Sequence, residues 1–429
     1  MKTFKIIFSE NRSFWTLVFY FVLILSTLLR IIYARYFMDP FSGPDADNYY
    51  RVYLEFLRNG PFSPVDGVPF WQPGYPWFLL LLDHLSPGVG IRPLMVLQSM
   101  LTSITILVFR FFCISFLDKF QSNIIGILIA VNFGFFAASS QLMYESVLTF
   151  FSIIAIFSLF KASRENNFQV YRFFLLLLFY STFLLSVFIQ PKIVLVFFLV
   201  SLTLFGVRNF QLSRHLITAI LISFSILLLR NFNAGLGVGI SANFRTHIIV
   251  GTQKVYSDYH SNCDVSGNFD TLSSISCLLY ERFLNFSIGA EVTFRNLYNF
   301  FAPYIGPLGD GKTGTGSWFH GINFRRLLPT DMRNEVLFYN IDLILSEIWM
   351  FSFLLAVMIG GYVSFSQSTR EARFIRSMYM GFIGTMLPII FGIGDSRYRL
   401  SAVPFYVAVV VFSLTNLYRR HLRSKWFSS

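Results

Sequence analysis

Long apolar runs separated by short polar breaks make up most of this chain. They fall at 14–37, 92–117, 122–140, 142–160, 172–190, 192–207, 214–231, 341–364, 377–393 and 400–418. A helix needs about 20 mostly apolar residues to cross the hydrocarbon core. Each run therefore predicts a membrane span, about ten in all with a range of roughly 9–12, because neighbouring runs are hard to separate. The run Tyr75–Leu85 is too short to cross and predicts a helix at the interface. Two larger polar intervals interrupt the pattern, at 39–91 and 231–340. The expected class is an all-α polytopic membrane protein.

Composition agrees with that pattern. The chain is 55% hydrophobic and only 13% charged, against about 25% charged in soluble domains. Its mean hydropathy is +0.59. So much apolar surface has no place in a water-soluble globule. The net charge of +12 would suggest nucleic acid in a soluble protein. Here the excess lies in short loops between spans and in the C-terminal tail, where topology accounts for it and nucleic acid is not needed.

Lys and Arg cluster at 2–12, at Lys119, at Lys161, Arg164 and Arg172, at Arg208 and Arg214, at 370–376 and at 419–425. With both termini on the cytoplasmic side, every cluster falls inside, as the positive-inside rule requires. The intervals 39–91 and 231–340, and the junctions near Gln141, Pro191 and 392–399, then face outward. The first span has no cleavage pattern after it and reads as a retained signal anchor. The organisation that results has three parts. Residues 1–232 form a transmembrane module with the first outer loop at 39–91, residues 233–340 an extracytoplasmic cap, and residues 341–429 a second transmembrane module with a basic tail.

The cap is too long for a plain connector. It carries amphipathic stretches at Ser276–Ile288 and Val292–Tyr304, and Cys263 and Cys277, a pair that an oxidising compartment would allow to join. Cys113, inside an apolar run, reads as a buried small residue. Two motifs are set aside. Gly306–Thr313, GPLGDGKT, matches a phosphate-binding loop, but no apolar strand precedes it and GTGSW follows where a helix should start. Asn285-Phe286-Ser287 matches a glycosylation sequon that matters only in a eukaryotic secretory setting.

The first outer loop holds the chemistry. It opens with Asp45 and Asp47 in GPDADNYY and closes on Trp71-Gln72-Pro73-Gly74-Tyr75-Pro76. Ionisable groups near a membrane are costly unless solvated or paired, so they tend to mark function. On a helix starting at Asp45, Tyr49 shares its face, whereas Asp47 points about 200° away. Read as plain structure, both acids are loop or capping residues.

The arrangement resembles the GT-C glycosyltransferases, nearest the branch of protein mannosyltransferases and lipid A aminoarabinose transferases (family 39-like). The likeness is carried by G-x-D-A-D-x-Y-Y and W-Q-P-G-Y-P-W-F in the first outer loop, by QLMYESVL at 141–148 and by GDSRYRLSAVP at 394–404. It runs through most of 14–205 and 377–418 and leaves the cap uncovered. It implies a GT-C fold and an inverting transfer of sugar from a polyprenyl-phosphate donor to a lipid, glycan or protein acceptor at the outer face of, in this case, a bacterial inner membrane. It further implies Asp45 as catalytic base with Asp47 in support, Glu145 as a partner acid, and Tyr49, Gln72, Tyr75, Lys192, Arg397, Tyr398 and Arg399 as substrate-binding residues. Where relatives often carry Arg before a Pro, this chain reads Ile189-Gln190-Pro191-Lys192, leaving Lys192 as the cation one step later.

A lipid phosphate is already a stable anion, so a dedicated general acid is dispensable, and the resemblance implies that no cofactor is required. The six His show no metal-ligand spacing, and a divalent ion at Asp45 and Asp47 is left open without support. The competing readings are a polysaccharide polymerase or ligase, which would put its key Arg in outer loops, and a transporter or flippase of lipid-linked sugars. A transporter predicts charges and Gly/Pro breaks at midspan. This chain instead puts Asp45, Asp47, Glu145 and Asp395 at the outer ends of runs.

Overall fold

A computed structural model of the 429-residue chain describes residues 12–37, 40–42, 46–63, 72–85, 90–165, 168–205, 210–233, 248–249, 252–253, 261–263, 272–284, 286–301, 352, 354–391 and 400–427. Among these residues every regular element is helical. The first helix, α1 (Arg12–Ile32), ends in a π-helical turn at Tyr33–Phe37, and a short 3₁₀ turn follows at Pro40–Ser42. The polar interval 39–91 contributes α2 (Ala46–Asn59) and α3 (Gly74–Leu85). Then come α4 (Ile91–Ile114), α5 (Lys119–Ala130), α6 (Phe133–Ser140), α7 (Glu145–Ala162), α8 (Gln169–Ile189), α9 (Ile193–Phe205) and α10 (Phe210–Asn233). The polar interval 231–340 holds α11 (Leu272–Leu284) and α12 (Phe286–Phe301). The last three are α13 (Leu354–Phe365), α14 (Arg370–Phe391) and α15 (Val403–Phe427).

Six of the described helices are long and apolar enough to cross a membrane: Ser13–Tyr36, Ile91–Ile114, Glu145–Ala162, Gln169–Ile189, Ser213–Asn233 and Leu400–Tyr418. The protein is thus a multi-pass membrane protein. Of the other expected spans, 192–207 and 341–364 are represented by the shorter apolar helices Ile193–Phe205 and Leu354–Phe365. The expected span 377–393 is represented as far as Phe391 by α14, which begins earlier on Arg370, Glu371, Arg373 and Arg376, and its last two residues lie outside the described residues.

The run 122–140 is not one helix. It breaks between α5 and α6 at Asn132, whose side-chain oxygen accepts from the N–H of Phe135 at 3.0 Å and so caps the second piece. At the end of the first piece, the carbonyl of Ala130 accepts from Arg30 Nη2 at 2.8 Å. A helix terminus at this depth cannot turn to bulk water, so a buried guanidinium supplies the missing donor. Apolarity alone could not reveal the break, because both pieces are equally apolar.

Packing follows the rules of a lipid-embedded bundle. Burial of apolar surface does not drive helices together in lipid, so close approach and polar cross-links do. Added β-carbons at Gly381 and Gly384 would crowd Val200 and Val196, and so these glycines let α14 lie close on α9. Thr27 Oγ1 donates to Ser103 Oγ at 2.7 Å between α1 and α4, and Arg110 Nε donates to Asn123 Oδ1 at 2.7 Å between α4 and α5. Cys113 is buried in α4.

In the interval 231–340, the amphipathic stretches form helices that start a few residues earlier than expected, at Leu272 and Phe286. Cys263 and Cys277 are joined in a disulfide with their Cα atoms 5.9 Å apart. It pins the 261–263 segment to α11, where Ser261 Oγ and the Asn262 N–H also donate to Glu281, at 2.6 and 2.9 Å. The Gly306–Thr313 loop and Asn285 lie outside the described residues.

Candidate active site

Glu145 is the first residue of α7 and only 2% exposed. A carboxylate there benefits from the positive end of the helix dipole. The loop leading into it is clamped from two directions. The N–H of Leu142 donates to the carbonyl of Pro40 at 3.0 Å, which ties this junction to the start of the polar interval 39–91. From α4, the Gln98 amide donates to the carbonyls of Ala138 and Gln141 at 3.0 Å and reaches that of Met143 at 3.3 Å. Two N–H groups thus serve three acceptors.

The oxygen of the same amide accepts from the phenol of Tyr75 at 2.9 Å. Burial, and then the negative charge of Glu145, hold the Tyr75 phenol well above its ordinary pKa. Tyr75 therefore stays protonated and keeps donating. Its ring stands edge-on to Tyr49 with centroids 5.1 Å apart, and Tyr49 meets Tyr144 in the same way at 5.9 Å. One chain of contacts accordingly runs from α2 through α3 and α4 to the residue before Glu145.

The WQPGYPWF block explains why α3 sits there. A β-carbon on Gly74 would overlap the backbone of Phe188 and Ile189 at the end of α8, so only glycine permits this approach. Trp77 locks the contact, with its ring edge-on to Phe188 at 5.2 Å and its Nε1 donating to the carbonyl of Pro61 at 2.7 Å. Tyr53 of α2 has its phenol pushed up to about 12 by burial and by the Asp83 carboxylate of α3, which keeps it a donor between the two helices. A Gly74→Ala exchange is expected to cost about 1–3 kcal/mol by overpacking. The check is a fall in thermal stability together with loss of activity, since α3 carries Tyr75.

Immediately after that contact come Gln190, Pro191 and Lys192. Gln190 Nε2 donates to the Tyr144 hydroxyl at 3.1 Å. Tyr144, Glu145, Gln190, Lys192, Thr385 and Ser401 supply the polar lining of a small, partly open cleft, closed on its apolar side by Leu148, Ile193 and Val196. It draws on the start of α7, the end of α8, the start of α9, the end of α14 and the start of α15. Leu400, the residue after Arg399, is buried against Ala138 and Met143.

The expected site residues divide into those brought together and those not described. Glu145 and Lys192 share the cleft. Tyr49 and Tyr75 are buried beside it through Tyr144, and Gln72 is buried where the block begins. Asp47 lies in the first turn of α2 and is exposed, on the other side of the helix from buried Tyr49. Asp45, Arg397, Tyr398 and Arg399 lie outside the described residues. Asp45 directly precedes buried Ala46, and Arg397–Arg399 directly precede Leu400 and Ser401.

Sequence reasoning missed Gln98, Tyr144, Gln190, Thr385 and Ser401. Gln98 was the one with a usable signal, as an amide in the middle of an apolar run. Such a group must find partners inside the protein. For metals, Cys263, Cys277 and Glu281 lie close together, but the two sulfurs are already bonded to each other and so are not thiolate ligands.

The sequence matches no protein-family profile, and no curated protein is similar to it in sequence. Solved structures are similar in fold. The oligosaccharyltransferase of Archaeoglobus fulgidus in its apo form superposes with a TM-score of 0.51 at 13% identity, over 95% of this chain and 51% of that one. The archaeal oligosaccharyltransferase AglB from the same organism, in complex with an inhibitory peptide and a dolichol-phosphate, gives 0.51 at 14% identity, over 97% and 52%. A third structure, tethered to an acceptor peptide containing the NVT sequon, gives 0.50 at 11% identity, over 94% and 50%. This chain spans about half the length of those proteins. Over its described helices the chain therefore shares the fold of these membrane proteins.

Proposed function

We propose that this protein is an inverting glycosyltransferase that moves a sugar from a polyprenyl-phosphate donor to an acceptor at the outer face of the membrane. The observation that carries the reading is the meeting of Glu145 and Lys192 in one cleft, with Tyr49 and Tyr75 of the first outer loop packed against its Tyr144 wall. A site built from five separate helix ends at one face of a bundle suits a substrate that is part lipid and part water-soluble. The fold adds support, since a structure that shares it holds a dolichol-phosphate.

In the proposed reaction Asp45 takes the proton of an acceptor hydroxyl as that oxygen attacks the anomeric carbon. The new glycosidic bond forms as the bond from carbon to phosphate oxygen breaks, with inversion at that carbon. The polyprenyl phosphate leaves as an anion and needs no protonation. Lys192, with Arg397 and Arg399, holds its phosphate. Glu145 orients the acceptor, and Tyr49, Gln72, Tyr75 and Tyr398 shape the binding surface. The finer kinship with protein mannosyltransferases and lipid A aminoarabinose transferases, a bacterial inner membrane, cytoplasmic termini and the three-part division at 232 and 340 belong to the same proposal.

The test is transfer by purified protein from a synthetic polyprenyl-phosphate sugar, read as release of polyprenyl phosphate. Removing the charge in Lys192→Met is expected to raise the KM for donor about tenfold or more, the worth of one charge-assisted contact. An unchanged KM would remove Lys192 from the phosphate site. Donor moved across a vesicle without loss of its sugar would point to a flippase instead.

A further inference from the structure

The ends of α4, α7 and α14 farthest from Glu145 carry a second arrangement that the transfer reaction does not use. Phe116, just after α4, stacks on Phe374 of α14 with centroids 4.6 Å apart. Two guanidinium groups lie over this same Phe116 ring, Arg164 at 5.5 Å and Arg370 at 5.3 Å. Arg164 also lies 4.3 Å over Phe160, and Arg370 donates to the carbonyl of Ser115. Both side chains are exposed. Among the described residues no carboxylate comes within ion-pair distance of either.

Two like charges held over one ring repel each other. Partial desolvation where it lies over the rings, and then the charge of Arg370, lower the pKa of Arg164, in line with that strain. Cation–π contacts offset part of the cost, and an anion placed between the two would remove the rest. The fork of a guanidinium suits a phosphate oxygen pair. We propose that Arg164 and Arg370, set over Phe116, bind the phosphate of an anionic phospholipid in the leaflet opposite the catalytic cleft.

A lipid headgroup fits this place better than a free phosphate. Helix α7 has 18 residues between Glu145 and Ala162, a rise of about 27 Å, close to the roughly 30 Å of hydrocarbon in a bilayer. The pair therefore sits at the level of the far headgroups. The same end of α4 exposes Phe111 (45%), and the start of α8, which follows Arg164 in the chain, exposes Phe168 (68%) and Phe173 (62%). These are apolar surfaces for acyl chains beside a cationic site.

The experiment is native mass spectrometry of delipidated, full-length protein titrated with phosphatidylglycerol, phosphatidylcholine or inorganic phosphate. Phosphatidylglycerol is expected to bind about tenfold or more tighter than phosphatidylcholine, with no saturable binding of inorganic phosphate. Arg164→Gln, which removes a stacked group and no hydrogen bond to the backbone, is expected to weaken phosphatidylglycerol about tenfold. Its thermal stability in phosphatidylcholine should match wild type. Equal binding of the two lipids by wild type overturns the proposal without need of any variant. So does unchanged phosphatidylglycerol affinity in a folded Arg164→Gln protein. Inorganic phosphate binding as tightly as phosphatidylglycerol overturns the lipid as the source of the anion.

Discussion

An Asp45→Asn variant is expected to lose about 10²- to 10⁴-fold in kcat for sugar transfer, the usual worth of a general base, with the KM for donor little changed. Asparagine keeps the shape of the side chain and removes only its ability to take a proton, so the loss should fall on the chemical step. Asp47→Asn is the paired control. Asp47 is exposed in the first turn of α2, on the face away from buried Tyr49, and its replacement should cost no more than about threefold, a fraction of what one charged contact contributes. Steady-state rates with saturating acceptor separate the two. Full activity in Asp45→Asn would remove Asp45 as the base. Full activity in both variants would argue against glycosyl transfer by this loop altogether.

The second large effect concerns a positioning residue. Gln98→Leu is close in volume, but it strips two donors and one acceptor from a buried junction. The carbonyls of Ala138 and Gln141, and the Tyr75 hydroxyl, would lose their partner. Each buried polar group so orphaned costs about 1–3 kcal/mol. The expected result is a marked drop in thermal stability and loss of most activity, since this junction aims Glu145 and seats Tyr75. Tyr75→Phe removes one of these bonds and leaves the clamp on the carbonyls, so it should cost about 1 kcal/mol. A stability loss in Tyr75→Phe as large as in Gln98→Leu would show that the clamp on the carbonyls contributes nothing.

Much of the fold was legible because the membrane imposes a simple rule on sequence. Runs such as Ile91–Ile114 and Gln169–Ile189 could be read as spans from length and apolarity, since in lipid the backbone must bond to itself. The same rule hid the break at Asn132. There the helix ends are satisfied by the Asn132 side chain and by Arg30, a residue 100 positions from its partner Ala130. Lys192 and Glu145 were legible as charges at the ends of apolar runs. Their neighbours Thr385 and Ser401 were not, because hydroxyls are cheap inside a bundle and leave no mark on a hydropathy pattern.

The sequence by itself determined the membrane class and the residue types available at each helix end. Local length and polarity decide these, and no distant contact can reverse them. Only the tertiary structure decided which helix ends meet. Gly74 admits α3 against the end of α8, Gln98 ties α4 to the loop before Glu145, and Pro40 pairs with Leu142. Each of these contacts joins residues at least 40 positions apart, with Gln98 and Ala138 the nearest pair at 40. Such pairings depend on how helices pack in three dimensions, and on the small residues that let backbones touch. A one-dimensional pattern of apolar and polar positions carries no record of that.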